Sequence, residues 1–169
     1  MSKTPPVLAV SGYKNSGKTT LIERVLPLLA ERGLRVAVVK RDGHRFAADV
    51  PDTDTWRFLR AGAGGTAVFD DEKYMLVKRE AVSEDRLFEV FSDADLILLE
   101  GFKFSPWPKI EMLRGDDADS VCDPATVLAF AVPAGGAAVR AGLPAIPRDD
   151  CASFAELIYA YVCENSRED

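Results

Sequence analysis

The chain has 169 residues, 47% of them apolar and 28% charged, and carries a net charge of −6. That size and balance predict one soluble globular domain over residues 1–169, with a continuous core and frayed ends at 1–5 and 165–169. The acidic balance argues against general adhesion to nucleic acid or anionic lipid. No apolar run reaches the roughly 18–20 residues of a membrane span.

Strand and helix signals alternate along the sequence. Val7-Leu-Ala-Val10 reads as a buried strand, and Gly12-Tyr-Lys-Asn-Ser-Gly-Lys-Thr19 follows it. This run fits the phosphate-loop pattern G-x-x-x-x-G-K-[ST] at every fixed position. Gly12, Lys14, Asn15, Ser16 and Gly17 are expected to wrap a phosphate with their backbone N–H groups. Lys18 is expected to reach the β- and γ-phosphates, and the Thr19 hydroxyl to ligate Mg²⁺. Thr20, also expected to bind the nucleotide, opens a helix whose stripe is Leu21, Ile22, Val25, Leu26 and Leu29; Pro27 should bend it and Gly33 stop it.

Val36-Ala-Val-Val39 is a short continuous apolar run, the sign of a strand buried on both faces. The polar loop 40–54 holds Lys40, His44, Asp49, Asp52 and Asp54. It stands where a switch segment would sense a γ-phosphate. Asp49 and Asp52 are the candidate catalytic residues, as outer-sphere Mg²⁺ partners or water-orienting groups. His44 is the only histidine, and catalysis or phosphate contact and a plain surface position are both open to it. Arg57, on the next helix, reads equally as an anion contact or as part of a solvated face. A short helix is predicted over Thr55 to Ala61, capped by Asp54 or Thr55.

Thr66–Phe69 and Tyr74–Val77 read as a hairpin pair, and Ser83 as the cap of a helix to about Phe91. Asp95-Leu-Ile-Leu-Leu-Glu100 is a buried strand bracketed by acids. Glu100 ends it, where a phosphate-loop protein keeps the acid that holds Mg²⁺ directly or through water. Asp95 should cap the opposite edge. Further strands are predicted at Lys109–Leu113, Val127–Val132 and Ala145–Ile146, and a last helix at Phe154–Cys163. Trp56 and Trp107 are large enough to stack on a ring but more often pack in cores. Cys122, Cys151 and Cys163 are scattered, as free thiols in a reducing, cytoplasmic compartment would be.

The alternation implies an α/β fold, a largely parallel sheet with helices on both faces. Ligands of such sheets bind beyond the carboxyl ends of the strands. The 12–19 loop, the 40–54 loop and the 100–103 turn are therefore expected to converge there.

Residues 12–21, the pattern Lys40/His44/Phe46/Asp49/Pro51/Asp54/Arg57, Ala61-Gly-Ala63, and Leu99-Glu-Gly-Phe-Lys103 followed by Pro108-Lys-Ile-Glu111 together resemble the molybdopterin-guanine dinucleotide biosynthesis adaptor protein B (MobB) family. The resemblance covers about residues 7–113 closely. It implies a three-layer P-loop NTPase fold with a few antiparallel extra strands. It also implies GTP and Mg²⁺ as ligands, weak GTPase activity and a homodimer. The implied partner is the guanylyltransferase that attaches GMP to molybdopterin, with molybdopterin itself a possible ligand. The chain departs from many P-loop GTPases in having no N-K-x-D motif. Pro133-Ala-Gly-Gly136 follows the late strand instead, leaving backbone carbonyls as acceptors for guanine. Two other readings stay open, a small-molecule kinase and a metallochaperone-type GTPase. A kinase needs an arginine-bearing lid, and 114–125 is acidic apart from Arg114.

Overall fold

A computed structural model describes residues 4–41, 46–114, 120–134 and 142–166. In chain order the elements are β1 (Val7–Gly12), α1 (Lys18–Glu31), β2 (Val36–Lys40), α2 (Asp54–Arg60), β3 (Gly65–Phe69) and β4 (Tyr74–Lys78). They continue with α3 (Glu84–Val90), β5 (Leu96–Glu100), β6 (Lys109–Met112), β7 (Val127–Val132), β8 (Ala145–Pro147) and α4 (Cys151–Asn165). The chain divides into two compact units, Met1–Arg41 with Asp85–Asp169, and Asp42–Glu84.

The first unit is built on a six-stranded sheet in the order β2-β5-β1-β6-β7-β8, with every neighbouring pair parallel. Side chains of a strand alternate between faces, and the core divides accordingly. Leu8, Val10, Leu96, Leu98, Ile110 and Met112 pack with Leu21, Val25 and Leu29 of α1 and Phe154 and Ile158 of α4. Val7, Ala9, Ile97 and Leu99 face the other way, against Phe88 of α3 and Trp107. Trp107 meets Phe88 edge to face at 5.6 Å, so it is a core aromatic. Farther along that face, Leu113, Cys122, Val127, Phe130 and Val132 form a third cluster.

β2 is an edge strand with β5 as its one partner; Val39 is buried but Val38 is exposed. A continuous apolar run does not distinguish a central strand from an edge strand. α1 runs through Pro27 without a break, and Gly33 follows its end with a positive φ of 81°. α4 starts earlier than expected because Asp150 caps it, accepting from the N–H and hydroxyl of Ser153 at 3.1 and 2.6 Å. Asp95 holds the sheet's far edge as expected, accepting the Arg35 N–H at 2.7 Å.

The second unit holds α2 and the antiparallel pair β3–β4. The α2 cap is Thr53, one residue before the expected acid; its hydroxyl accepts the Trp56 N–H. The Asp70 carboxylate closes the hairpin turn by accepting the N–H groups of Glu72 and Lys73. Phe69, Tyr74 and Leu76 of the hairpin are strongly exposed. Among the described residues, no helix is long and apolar enough to cross a membrane.

Candidate functional site

Between β1 and α1 the backbone turns through a series of unusual conformations. Gly12, Asn15 and Gly17 have φ of 135°, 61° and 94°. Gly12 admits no side chain: a Cβ there would lie 2.5 Å from the Met112 carbonyl oxygen on β6. Gly12→Ala is therefore expected to destabilise the fold by about 2–5 kcal/mol, from backbone strain plus overpacking, which chemical denaturation will measure. Gly17 is the N-cap of α1, and no side chain caps this helix or places an acid in its first turn. The α2 and α4 starts, by contrast, are closed by Thr53 and Asp150. The positive end of α1 is thus left open to an anion. Ser16 is 2% exposed, and its Oγ is buried without a hydrogen-bond partner among the described residues.

Glu100 ends β5 beside this loop. Strand alternation puts it on the face of Leu98, toward α1. Its Oε1 accepts the Thr19 hydroxyl at 3.0 Å and stands 3.2 Å from Lys40 Nζ, with the carboxylate side chain 12% exposed. Lys40 reaches it because β2 and β5 pair in register, Lys40 opposite Glu100. The turn after Glu100 is tied to β1: Gly101 N–H donates to the Val10 carbonyl, and the Ser11 hydroxyl donates to the Gly101 carbonyl. Thr19 and Glu100 offer one neutral and one anionic oxygen side by side. That donor set fits Mg²⁺, which takes few protein oxygens and completes its shell with phosphate and water.

Lys18 folds back onto its own loop, donating to the Tyr13 carbonyl at 2.6 Å and lying 3.5 Å from that of Gly12. Burial lowers its pKa; Glu100 opposes this, while Lys103, Arg114 and Lys40 add to it. Lys103 Nζ and Arg114 Cζ both lie over the Tyr13 ring, at 5.6 and 5.3 Å, and Arg114 donates to the Lys14 carbonyl. On a chain of net charge −6, the loop is thus ringed by cations held close together, an arrangement that an incoming polyanion relieves.

The chain is similar to known proteins in sequence and fold. The model of the MobB family, molybdopterin guanine dinucleotide synthesis protein B, matches residues 7–133. The chain belongs to the MobB family. It is 38% identical over 118 residues to the molybdopterin-guanine dinucleotide biosynthesis adapter protein of Haemophilus influenzae, covering 68% of this chain and 66% of that one. A probable adapter protein of Bacillus subtilis is 39% identical over 115 residues, with 64% and 65% covered. The chain spans just under two thirds of the length of those relatives. The crystal structure of Bacillus subtilis MobB superposes with a TM-score of 0.80 at 30% identity, over 92% of this chain and 97% of that one. The fold is therefore the P-loop NTPase fold of MobB proteins.

Among the residues expected at the site, Gly12 to Thr20, Lys40 and Glu100 come together in the first unit. Lys14 contributes its carbonyl to Arg114, while its side chain is exposed. Asp49 and Asp52 stand in the second unit, in the turn that starts α2. Asp49 accepts the Val50 N–H at 2.7 Å and the Thr53 hydroxyl at 3.2 Å. Hydrogen bonding, from Thr55 first, holds its carboxyl below the usual range. Asp52 is exposed with a φ of 71°. Arg57 lies 3.7 Å from Asp54 on the exposed side of α2, and Trp56 stacks with Arg60 at 5.2 Å. His44 lies outside the described residues. Sequence reasoning missed the roles of Lys103 and Arg114 around Tyr13. No local signal marked them, because both reach Tyr13 from distant parts of the chain.

Proposed function

We propose that this MobB-family chain is an adapter in molybdopterin-guanine dinucleotide biosynthesis that binds Mg·GTP at residues 12–20 and hydrolyses it slowly. The observation that carries the proposal is the open start of α1 beside the Thr19–Glu100 pair, a phosphate cradle with a metal-ligand set next to it. On nucleotide arrival, Lys18 exchanges the Tyr13 and Gly12 carbonyls for phosphate oxygens. Thr19 and Glu100 would hold Mg²⁺, and Lys40 would give up part of its hold on Glu100. The ion would supply positive charge against that of the phosphates. Asp49 and Asp52 serve as water-orienting or outer-sphere groups. The chain acts as a cytoplasmic homodimer that presents nucleotide, with molybdopterin as a further ligand, to the guanylyltransferase.

Calorimetric titration of the protein with GTP, with and without Mg²⁺, tests this reading. Glu100→Gln is expected to weaken the Mg²⁺-dependent part of binding by about 10–100-fold, the range for groups that support a bound metal, while metal-free binding changes little. Equal Mg²⁺ dependence in the variant would remove Glu100 from the site. Turnover is expected far below the roughly 1–100 s⁻¹ of kinases, and rapid phosphoryl transfer to a small acceptor would overturn the adapter reading.

A further inference from the structure

Beside the phosphate loop lies a cavity of about 260 Å³, lined by Ser16 and Gly17 of the loop, Thr20 and Arg24 of α1, and Arg148 and Asp149 beyond β8. It is smaller than the roughly 300–1,000 Å³ of pockets for drug-sized ligands, a size suited to a base and sugar. Two observations point to a missing ligand. Arg148 is fixed by its own N–H, which donates to the Val132 carbonyl at 2.9 Å, yet its Nε and Nη2 are buried without an acceptor among the described residues. Buried, unmet guanidinium donors are strongly unfavourable unless something arrives to accept from them. The second is the division of work between neighbouring acids. Asp150 spends its carboxylate on capping α4. Asp149, exposed, makes no side-chain hydrogen bond or ion pair among the described residues, and its backbone carbonyl accepts the Cys151 N–H.

We propose that this cavity receives the base of the nucleotide and that Asp149 and Arg148 select guanine. The inference rests on nucleotide binding at the loop, as proposed above. Guanine presents N1–H and N2–H donors, which a carboxylate can accept together, and O6 and N7 acceptors, which a guanidinium can meet together. Adenine has an acceptor at N1 and a donor at N6, and shares only the N7 acceptor with guanine. It would set an acceptor against the Asp149 carboxylate and a donor against one of the buried Arg148 donors. The selecting acid thus comes from the turn between β8 and α4, and an N-K-x-D motif is not required.

The test measures dissociation constants of Mg·GTP, Mg·ATP and Mg·XTP for the full chain and two variants. The unaltered protein is expected to prefer GTP over ATP by roughly 10–100-fold, the worth of one good bidentate contact. Asp149→Asn is expected to weaken GTP by a similar factor and to gain XTP. Its amide N–H₂ donates to the 2-carbonyl of xanthine while its Oδ1 still accepts N1–H. A misfolded variant cannot gain a ligand. Arg148→Met is expected to lose the preference for GTP while keeping its affinity for ATP. An unchanged ratio of GTP to XTP in Asp149→Asn, with binding still dependent on Lys18, overturns the base assignment and leaves the phosphate site standing. If no nucleotide binds in a Lys18-dependent way, both readings fall.

Discussion

Lys18→Ala is expected to raise the Kd for Mg·GTP by roughly 100-fold, about 3 kcal/mol, because one or two charge-assisted hydrogen bonds to phosphate disappear. The fold should tolerate the change. In the free protein Lys18 bonds to loop carbonyls, and burial together with Lys103, Arg114 and Lys40 disfavours its charge. Removing it eases that repulsion, so thermal stability is expected to hold or rise slightly while binding collapses. Stability held for the sake of binding would show as opposite movements in melting temperature and affinity. Calorimetry finding the same Kd for both proteins would eliminate the loop as the phosphate site. A variant that lost both stability and binding would show that Lys18 instead supports the loop.

The second large effect lies away from the loop, on β6. Lys109 and Glu111 are both fully buried, on the face opposite Ile110 and Met112. Glu111 Oε1 accepts the N–H groups of Val121 and Cys122 at 2.5 and 3.2 Å, and Oε2 accepts the Ser120 hydroxyl at 2.9 Å. Lys109 donates to the Ser105 carbonyl at 2.7 Å; burial lowers its pKa, while Cys122, Asp123 and Glu111 support its charge. Glu111→Ala leaves two amides and a hydroxyl unmet and withdraws a counter-charge from a buried ammonium. The expected loss is about 3–5 kcal/mol, typical of breaking a buried charged network from one side. Denaturant titration measures it, and Glu111→Gln, which can still accept both amides, should recover part of it. A second readout is Cys122, whose thiol burial, with Glu111 beside it, pushes up to about 12. Loosening the 120–122 segment should make that thiol reactive toward alkylating agents. A loss below about 1 kcal/mol, the size of an ordinary single hydrogen bond, would mean that Glu111 is not the clamp described.

The loop was legible because its whole logic is local. Strand, glycines, lysine, hydroxyl and helix lie within Val7 to Leu21 and follow one pattern. Glu100 was legible by position, as the acid ending an apolar run. What eluded sequence reasoning depended on distant partners. Arg114 and Lys103 reach Tyr13 across most of the chain, and no spacing rule links them to residue 13. Lys109 and Glu111 alternate with Ile110 and Met112 as a half-solvated strand would, yet both faces are covered. Alternation reports which side a residue faces, not whether that side is wet. Thr53 took the cap from Asp54 by a shift of one residue, within the usual uncertainty of helix ends. Asp149 and Asp150 look equivalent in sequence, and only the cap of α4 separates them.

The two ends of the sheet bear on how copies of this chain can associate. β8 is three residues long and finishes in Pro147, which has no N–H to offer another strand. At the other end β2 is preceded by Arg35 and ends in Lys40, the type of charged gatekeeper that discourages strand addition. Neither margin is a good template for ribbon growth, so the sheet resists extension into fibrils.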